Sequence, residues 1–212
     1  ALWLRRVMSA LALLVAGSPA LAGPVDETSL ADIAVSHPRI VLWNAWSKVD
    51  RPTRIAWARR FLLEGGTVAV AAPLVSDIWT DARKGTDAEA ATARRDAVVL
   101  FFYGYLRFRI DGQFCRDPSS PGDLLFDYVT DLKPVADFAA GLPADTIRAL
   151  AGTAATLEAR SADTRGNDKY LCSRGRMELG SDVFLAREIV ESLAGSTRNE
   201  TVAELKTFGS RR

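Results

Sequence analysis

The longest periodic segment of the chain decides its fold: residues 87–115 read DAEAATARRDAVVLFFYGYLRFRIDGQFC. Residues 97–106 are apolar throughout, apart from two tyrosine hydroxyls. A helix that is apolar all round is buried in a core or spans a membrane, and so short a run falls below the roughly 20 residues of a span. The sequence therefore predicts a buried central helix over about 87–110, stopped by Asp111-Gly112.

Two short stretches leave the choice between helix and strand open. Residues 106–110 alternate with period two, and the Asp-Gly that follows is a hairpin signal. Residues 67–72 fit either a strand or a helix, and Pro73 favours a break or kink just after them.

The composition indicates one globular domain without an affinity for nucleic acid. The chain has 212 residues, of which 48% are hydrophobic and 25% charged, and its formal net charge is +1. These values are typical of a folded chain, and no basic tract interleaved with aromatic residues is present. Neither nucleic acid nor an acidic membrane surface is expected as a partner.

The first 22 residues have the pattern of a signal peptide. Arg5 and Arg6 precede a short apolar run at residues 7–16, and Ala20-Leu21-Ala22 has the small-x-small pattern of a cleavage site. This predicts residues 1–22 as a cleaved signal and residues 23–212 as one helical domain in the periplasm or outside the cell. An uncleaved anchor is the alternative; after cleavage, no stable membrane span is expected.

Export gives the two cysteines a structural role. Cys115 and Cys172 are the only cysteines, and a pair in an oxidising compartment is expected to form a disulfide. Closing so long a loop stabilises the fold by roughly 4 kcal/mol in the chain-entropy model. The alternative is two free, buried thiols.

The remaining chain predicts a mainly α, single-domain, irregular helical bundle around the central helix. Capping residues and prolines mark the helix starts, at Ser36, Asp50, Pro134, Pro143 and Ser181, and a capping box is expected at residues 120–123. Residues 161–180 are expected to form a polar loop. The tail after about residue 195 is expected to fray or to contain one more helix at residues 202–208. Trp43, Trp46 and Trp57 are expected in the core.

Most common catalytic frameworks are missing from the sequence. The only histidine, His37, stands before a proline near the predicted N-terminus of the exported form, and is interpreted as a helix-start residue rather than a base. None of the motifs GxSxG, HExxH, Walker A or GxGxxG occurs. No cofactor is expected.

Three aspartates form the best catalytic-looking set. Asp123, Asp127 and Asp131 have i, i+4, i+8 spacing, which places them on one helix face. One interpretation is a divalent metal site or a general-acid pair, as in a carboxylate-dependent hydrolase; the other is a solvated face.

Basic residues flank both cysteines, and a disulfide brings them to one end of the molecule. This predicted basic patch has six members: Arg107, Arg109, Arg116, Lys169, Arg174 and Arg176. It suits an anionic ligand or an acidic partner surface. Alternatively, its cations pair with local acids such as Asp111 and Asp168.

One region resembles a known family. It contains Tyr103-Gly104-Tyr105, Asp111-Gly112, Phe114-Cys115 and Pro118, followed by an apolar helix and Pro143. This order, over about residues 98–157, resembles the Tai-type periplasmic immunity proteins that neutralise secreted cell-wall amidases. The resemblance implies a helical, disulfide-bonded, non-enzymatic protein that plugs an amidase active site.

The sequence as a whole favours a binding or immunity-type protein that acts by protein–protein interaction. The partner that the resemblance implies is a secreted amidase. A hydrolase that uses the three aspartates and a structural envelope protein are the alternatives.

Overall fold

The computed structural model describes residues 26–36, 39–173, 175 and 183–209 of the chain. These residues form helices joined by short turns. The α-helices are α1 (Glu27–Ser36), α2 (Arg39–Trp46), α3 (Arg51–Leu63), α4 (Ala71–Ala82), α5 (Ala88–Asp111), α6 (Ser119–Asp131), α7 (Lys133–Ala140), α8 (Ala144–Ser161), α9 (Lys169–Cys172) and α10 (Arg187–Lys206). Three 3-10 turns, Val68–Val70, Gly112–Phe114 and Ala162–Thr164, complete the described elements.

Helix α5 is the central helix that the sequence predicts. The side chain of Asp87 caps its start by accepting a hydrogen bond of 2.8 Å from the Ala90 amide. Its apolar half contacts α4, α6, α7, α8 and α10, so every side of that half is buried. The helix continues through residues 106–110, and the strand alternative there is wrong. None of the described helices is long and apolar enough to cross a bilayer.

Residues 67–72 are helical as well. The hydroxyl of Thr67 caps the 3-10 turn Val68–Val70, which leads directly into α4. Pro73 lies in the first turn of α4, where its missing N–H would have no intrahelical acceptor. The expected break at this proline is therefore absent.

Two of the three tryptophans expected in the core lie there. Trp46 and Trp57 are buried with their ring centroids 6.1 Å apart, and Trp57 stacks on Phe61 at 5.0 Å. Trp43 is half-buried. The carboxylate of Asp50 caps α3 through the Thr53 amide, as its position predicts.

The expected capping box at residues 120–123 is wrong. Helix α6 already begins at Ser119, whose amide donates to the carboxylate of Asp117 at 2.9 Å. The hydroxyl of Ser120 instead donates to the carbonyl of Leu171 on α9. The Ser120 hydroxyl therefore bonds to a distant helix and does not cap α6, as the local sequence pattern predicts it should.

Two other expectations about the second half of the chain are corrected. The segment predicted as a polar loop contains the turn Ala162–Thr164 and helix α9, where Leu171 is fully buried. Helix α10 continues from Gly195 to Lys206 without fraying, and its Leu205 is also fully buried. The proposed cap Ser181 lies outside the described residues, and α10 begins at Arg187.

Candidate functional site

The disulfide closes the end of the central helix. Cys115 follows the turn that ends α5, and it is bonded to Cys172 at the end of α9, 57 residues away in sequence. Both cysteines are buried. The predicted crosslink is confirmed. Beside it, Phe184 pairs with Cys115 in an antiparallel bridge, in which the Leu185 amide donates to the Phe114 carbonyl at 2.8 Å.

A groove of about 540 Å³ opens beside this crosslink, between the end of α5 and the start of α6. We call it the disulfide groove. Its apolar walls come from Phe108, Leu125 and Leu185, and Gly122 leaves one side open. Arg109, which is half-buried, and Arg116, which is exposed, also line it. The groove therefore combines apolar walls with two guanidinium groups.

An exposed aromatic side chain extends the apolar surface of this groove. Phe126 is 72% exposed, the largest exposed fraction among the bulky apolar side chains described. It lies four residues after Gly122 on α6, so the two share one helix face. Sequence reasoning missed Phe126, although the helical period already places it off the inner face formed by Leu124 and Tyr128.

The structure separates the six cations of the predicted basic patch. Arg107 is only 1% exposed, although it lines a cleft at the surface. Arg109 and Arg116 line the disulfide groove, whereas the exposed Lys169 lines a different cleft. Arg174 and Arg176 lie outside the described residues. Four of the six cations thus fall into two pairs: Arg109 and Arg116 line the disulfide groove, and Arg107 and Lys169 line a second cleft.

A buried network of charges accounts for Arg107. Its Nε donates to the carboxylate of Asp111 one turn further along α5, and Asp111 is 3.2 Å from Nη1 of Arg165. Arg165 also pairs with Glu158, which in turn accepts from Arg198 on α10. Burial alone would lower the pKa of Arg107, but the charges of Asp111 and Tyr103 and the hydrogen bonds to both residues together outweigh burial and raise that pKa. This alternating chain of charges joins α5, α8 and α10.

The three aspartates of α6 lie in a line on its exposed face. Asp123, Asp127 and Asp131 are all exposed, as the spacing predicts. Over the part of the chain that the structure describes, no group of three or more His, Cys, Asp or Glu residues is arranged to hold a metal ion. His37 lies outside that part.

Comparison with known proteins gave no relative. The chain matches no protein-family model, no curated protein and no solved structure.

Proposed function

We propose that the protein is an exported, immunity-type binding protein, and that it holds a partner protein in the disulfide groove. The observation that carries this proposal is the groove itself, with its apolar walls, its two arginines and the adjacent exposed Phe126. Aromatic residues and arginine are enriched at interface hot spots, and a buried aromatic anchor often dominates the binding free energy.

The chemistry of the groove indicates the kind of partner. The positive charges of Arg109 and Arg116 favour carboxylates on the partner. The walls formed by Phe108, Leu125 and Leu185 favour an apolar side chain. The partner segment therefore combines acidic and apolar side chains.

The export of the protein and the class of its partner are inferred from the sequence. The signal-peptide pattern at residues 1–22 supports export to the periplasm or outside the cell, and a disulfide is stable in such an oxidising compartment. The resemblance over residues 98–157 to Tai-type immunity proteins makes a secreted cell-wall amidase the first partner to test. In this proposal the bound protein blocks the active site of the amidase.

The test uses a substitution that fills the groove and leaves the fold undisturbed. A Cβ at Gly122 would meet no atom within 4 Å, and the same holds for Gly152 in the middle of α8. Gly122→Trp therefore places a large side chain at the groove, and Gly152→Trp is the matched control on another helix. Both variants are expected to fold, because each replaces a helical glycine beside open space.

Each variant is used as bait for periplasmic proteins and as an inhibitor of secreted amidases that cleave cell-wall peptides. We expect wild type and Gly152→Trp to retain the same partner, and Gly122→Trp to bind it at least about tenfold more weakly, a loss of about 1.4 kcal/mol. Equal binding by all three proteins would show that the groove is not the site. Capture of a partner that is not an amidase would show that the partner class is wrong, without bearing on the groove as the binding site.

A further inference from the structure

A second cleft lies on the other side of the central helix. Arg107 and Arg109 are two residues apart, which turns their side chains about 200° from each other around α5. Arg109 lines the disulfide groove, whereas Arg107 lines a cleft of about 350 Å³. We call this the Arg107 cleft; the lining residues that matter here are Phe61, Gly66, Arg107, Asn167, Asp168 and Lys169.

Arg107 brings hydrogen-bond donors to this cleft. A guanidinium has five N–H groups. Three are used inside the protein: Nε donates to Asp111, Nη1 to the Tyr103 hydroxyl at 3.1 Å, and Nη2 to the Gly66 carbonyl at 3.1 Å. The other two N–H groups have no acceptor among the residues that the structure describes. A ligand oxygen that accepts from one of these N–H groups would form a hydrogen bond to a charged donor, which is stronger than a bond between neutral groups.

Asp168, the carboxylate among these lining residues, already accepts hydrogen bonds from other residues of the protein. Oδ1 of Asp168 accepts from the Thr67 hydroxyl at 2.9 Å and from the Tyr170 amide at 3.0 Å. Its Oδ2 accepts from the Val68 amide at 2.8 Å. These three donors hold Asp168 in place and leave it a poor acceptor for a ligand.

The rim of the cleft adds two more donor groups. Lys169 and Asn167 are both exposed, and neither side chain has a hydrogen bond or an ion pair with any described residue. Phe61 is an apolar lining residue of the same cleft. The cleft therefore offers N–H donors at its floor and rim, and an apolar surface beside them.

We propose that the Arg107 cleft binds a small organic anion. The carboxylate or phosphate of the ligand accepts from Lys169, Asn167 and the remaining N–H groups of Arg107, and a short apolar part packs against Phe61. An anion fits this donor set because hydrogen bonds between ionised groups are the strongest available to the site. This site is independent of the disulfide groove and of the partner proposed for it.

The test is calorimetric titration of the full chain with sodium butyrate, inorganic phosphate and the neutral analogue butyramide. We expect saturable binding of butyrate, phosphate or both, and none of butyramide. Lys169→Gln should weaken the binding about tenfold, the equivalent of one hydrogen bond to a charged group. Lys84→Gln, which removes an exposed lysine outside both clefts, is the matched control and should leave the affinity unchanged.

The comparison of butyrate with phosphate identifies the anionic group that the cleft accepts. The proposal is wrong if neither anion binds saturably, if butyramide binds as well as butyrate, or if Lys169→Gln and Lys84→Gln bind equally tightly. Gly122→Trp should retain the anion, because it alters only the other groove. This variant therefore distinguishes failure of the anion site from failure of the partner site in the disulfide groove.

Discussion

Glu158 on α8 and Arg198 on α10 form an ion pair in which the glutamate is completely buried. Nε of Arg198 donates to Oε2 of Glu158 at 2.6 Å, and Nη2 donates to Oε1 at 3.1 Å. The two residues are 40 positions apart in sequence. This paired geometry fixes α10 against α8 and connects both helices to the charges at the end of α5.

We predict that Glu158→Gln strongly destabilises the protein. The neutral amide would leave the positive charges of Arg165 and Arg198 without their carboxylate, and breaking a buried pair in this way costs about 3–5 kcal/mol. The free energy of unfolding in urea measures the effect. Asp145→Asn breaks the exposed pair with Arg148 and serves as the control, with an expected loss below about 1 kcal/mol.

The same glutamate makes stability depend on acid pH. Burial alone would raise the pKa of Glu158, but the hydrogen bond and charge of Arg198, with those of Arg165, outweigh it and lower that pKa from 4.5. Ionised Glu158 therefore stabilises the fold fully when the pH is above 4.5, its ordinary pKa. This stabilisation is lost as the pH falls through the lowered pKa of the folded protein. Glu158→Gln should flatten the dependence of unfolding free energy on pH in that window. An unchanged acid dependence would exclude Glu158 as its source.

The second prediction concerns the one glycine within the apolar run of α5. A Cβ at Gly104 would lie 2.7 Å from Cζ of Tyr128 and 3.2 Å from Cβ of Ala71. Gly104→Ala should therefore destabilise the fold by about 1–3 kcal/mol through overpacking, although alanine is the better helix former. Gly152→Ala, beside open space on α8, should instead stabilise by about 0.5–1 kcal/mol. Thermal unfolding of the two variants should thus shift in opposite directions.

The third prediction concerns the disulfide. Replacing Cys115 and Cys172 together by serine should lower the free energy of unfolding by about 4 kcal/mol, because the open loop has more unfolded-state entropy. Amide exchange at Leu171 and Leu185 should accelerate first, since these amides lie beside the crosslink. Far-UV circular dichroism should change little. An unchanged free energy of unfolding in the double variant would contradict this role of the crosslink.

Much of the fold follows from local signals in the sequence. The apolar run of residues 97–106 predicts the buried central helix, and the cap Asp50 and the helix-opening Pro143 predict the helix starts found beside them. Residues 106–110 were ambiguous because five residues with alternating apolar positions fit either period. The structure resolves them as helix, and Arg107 is buried together with its apolar neighbours Leu106 and Phe108 because other helices cover more than one side of α5.

The candidate site is harder to predict from local sequence signals than the fold is. Sequence places Arg107 and Arg109 side by side near Cys115, and nothing local separates them into different clefts. The pairing of Arg107 with Asp111 has a sequence signal, their i, i+4 spacing at the end of an apolar helix. Its continuation through Arg165 to Glu158 has none, because those residues are brought to the helix only by folding.

By itself the sequence determined the helical class, the central helix and the pairing of the only two cysteines, because periodicity, composition and cysteine count are properties of the chain. Tertiary structure decided which cations are accessible. It buried Arg107 with Asp111, left Arg116 exposed beside the disulfide groove, and placed Lys169 at a second cleft. The physical reason is that exposure depends on which distant helices cover a side chain, and that is settled only when their apolar faces pack together.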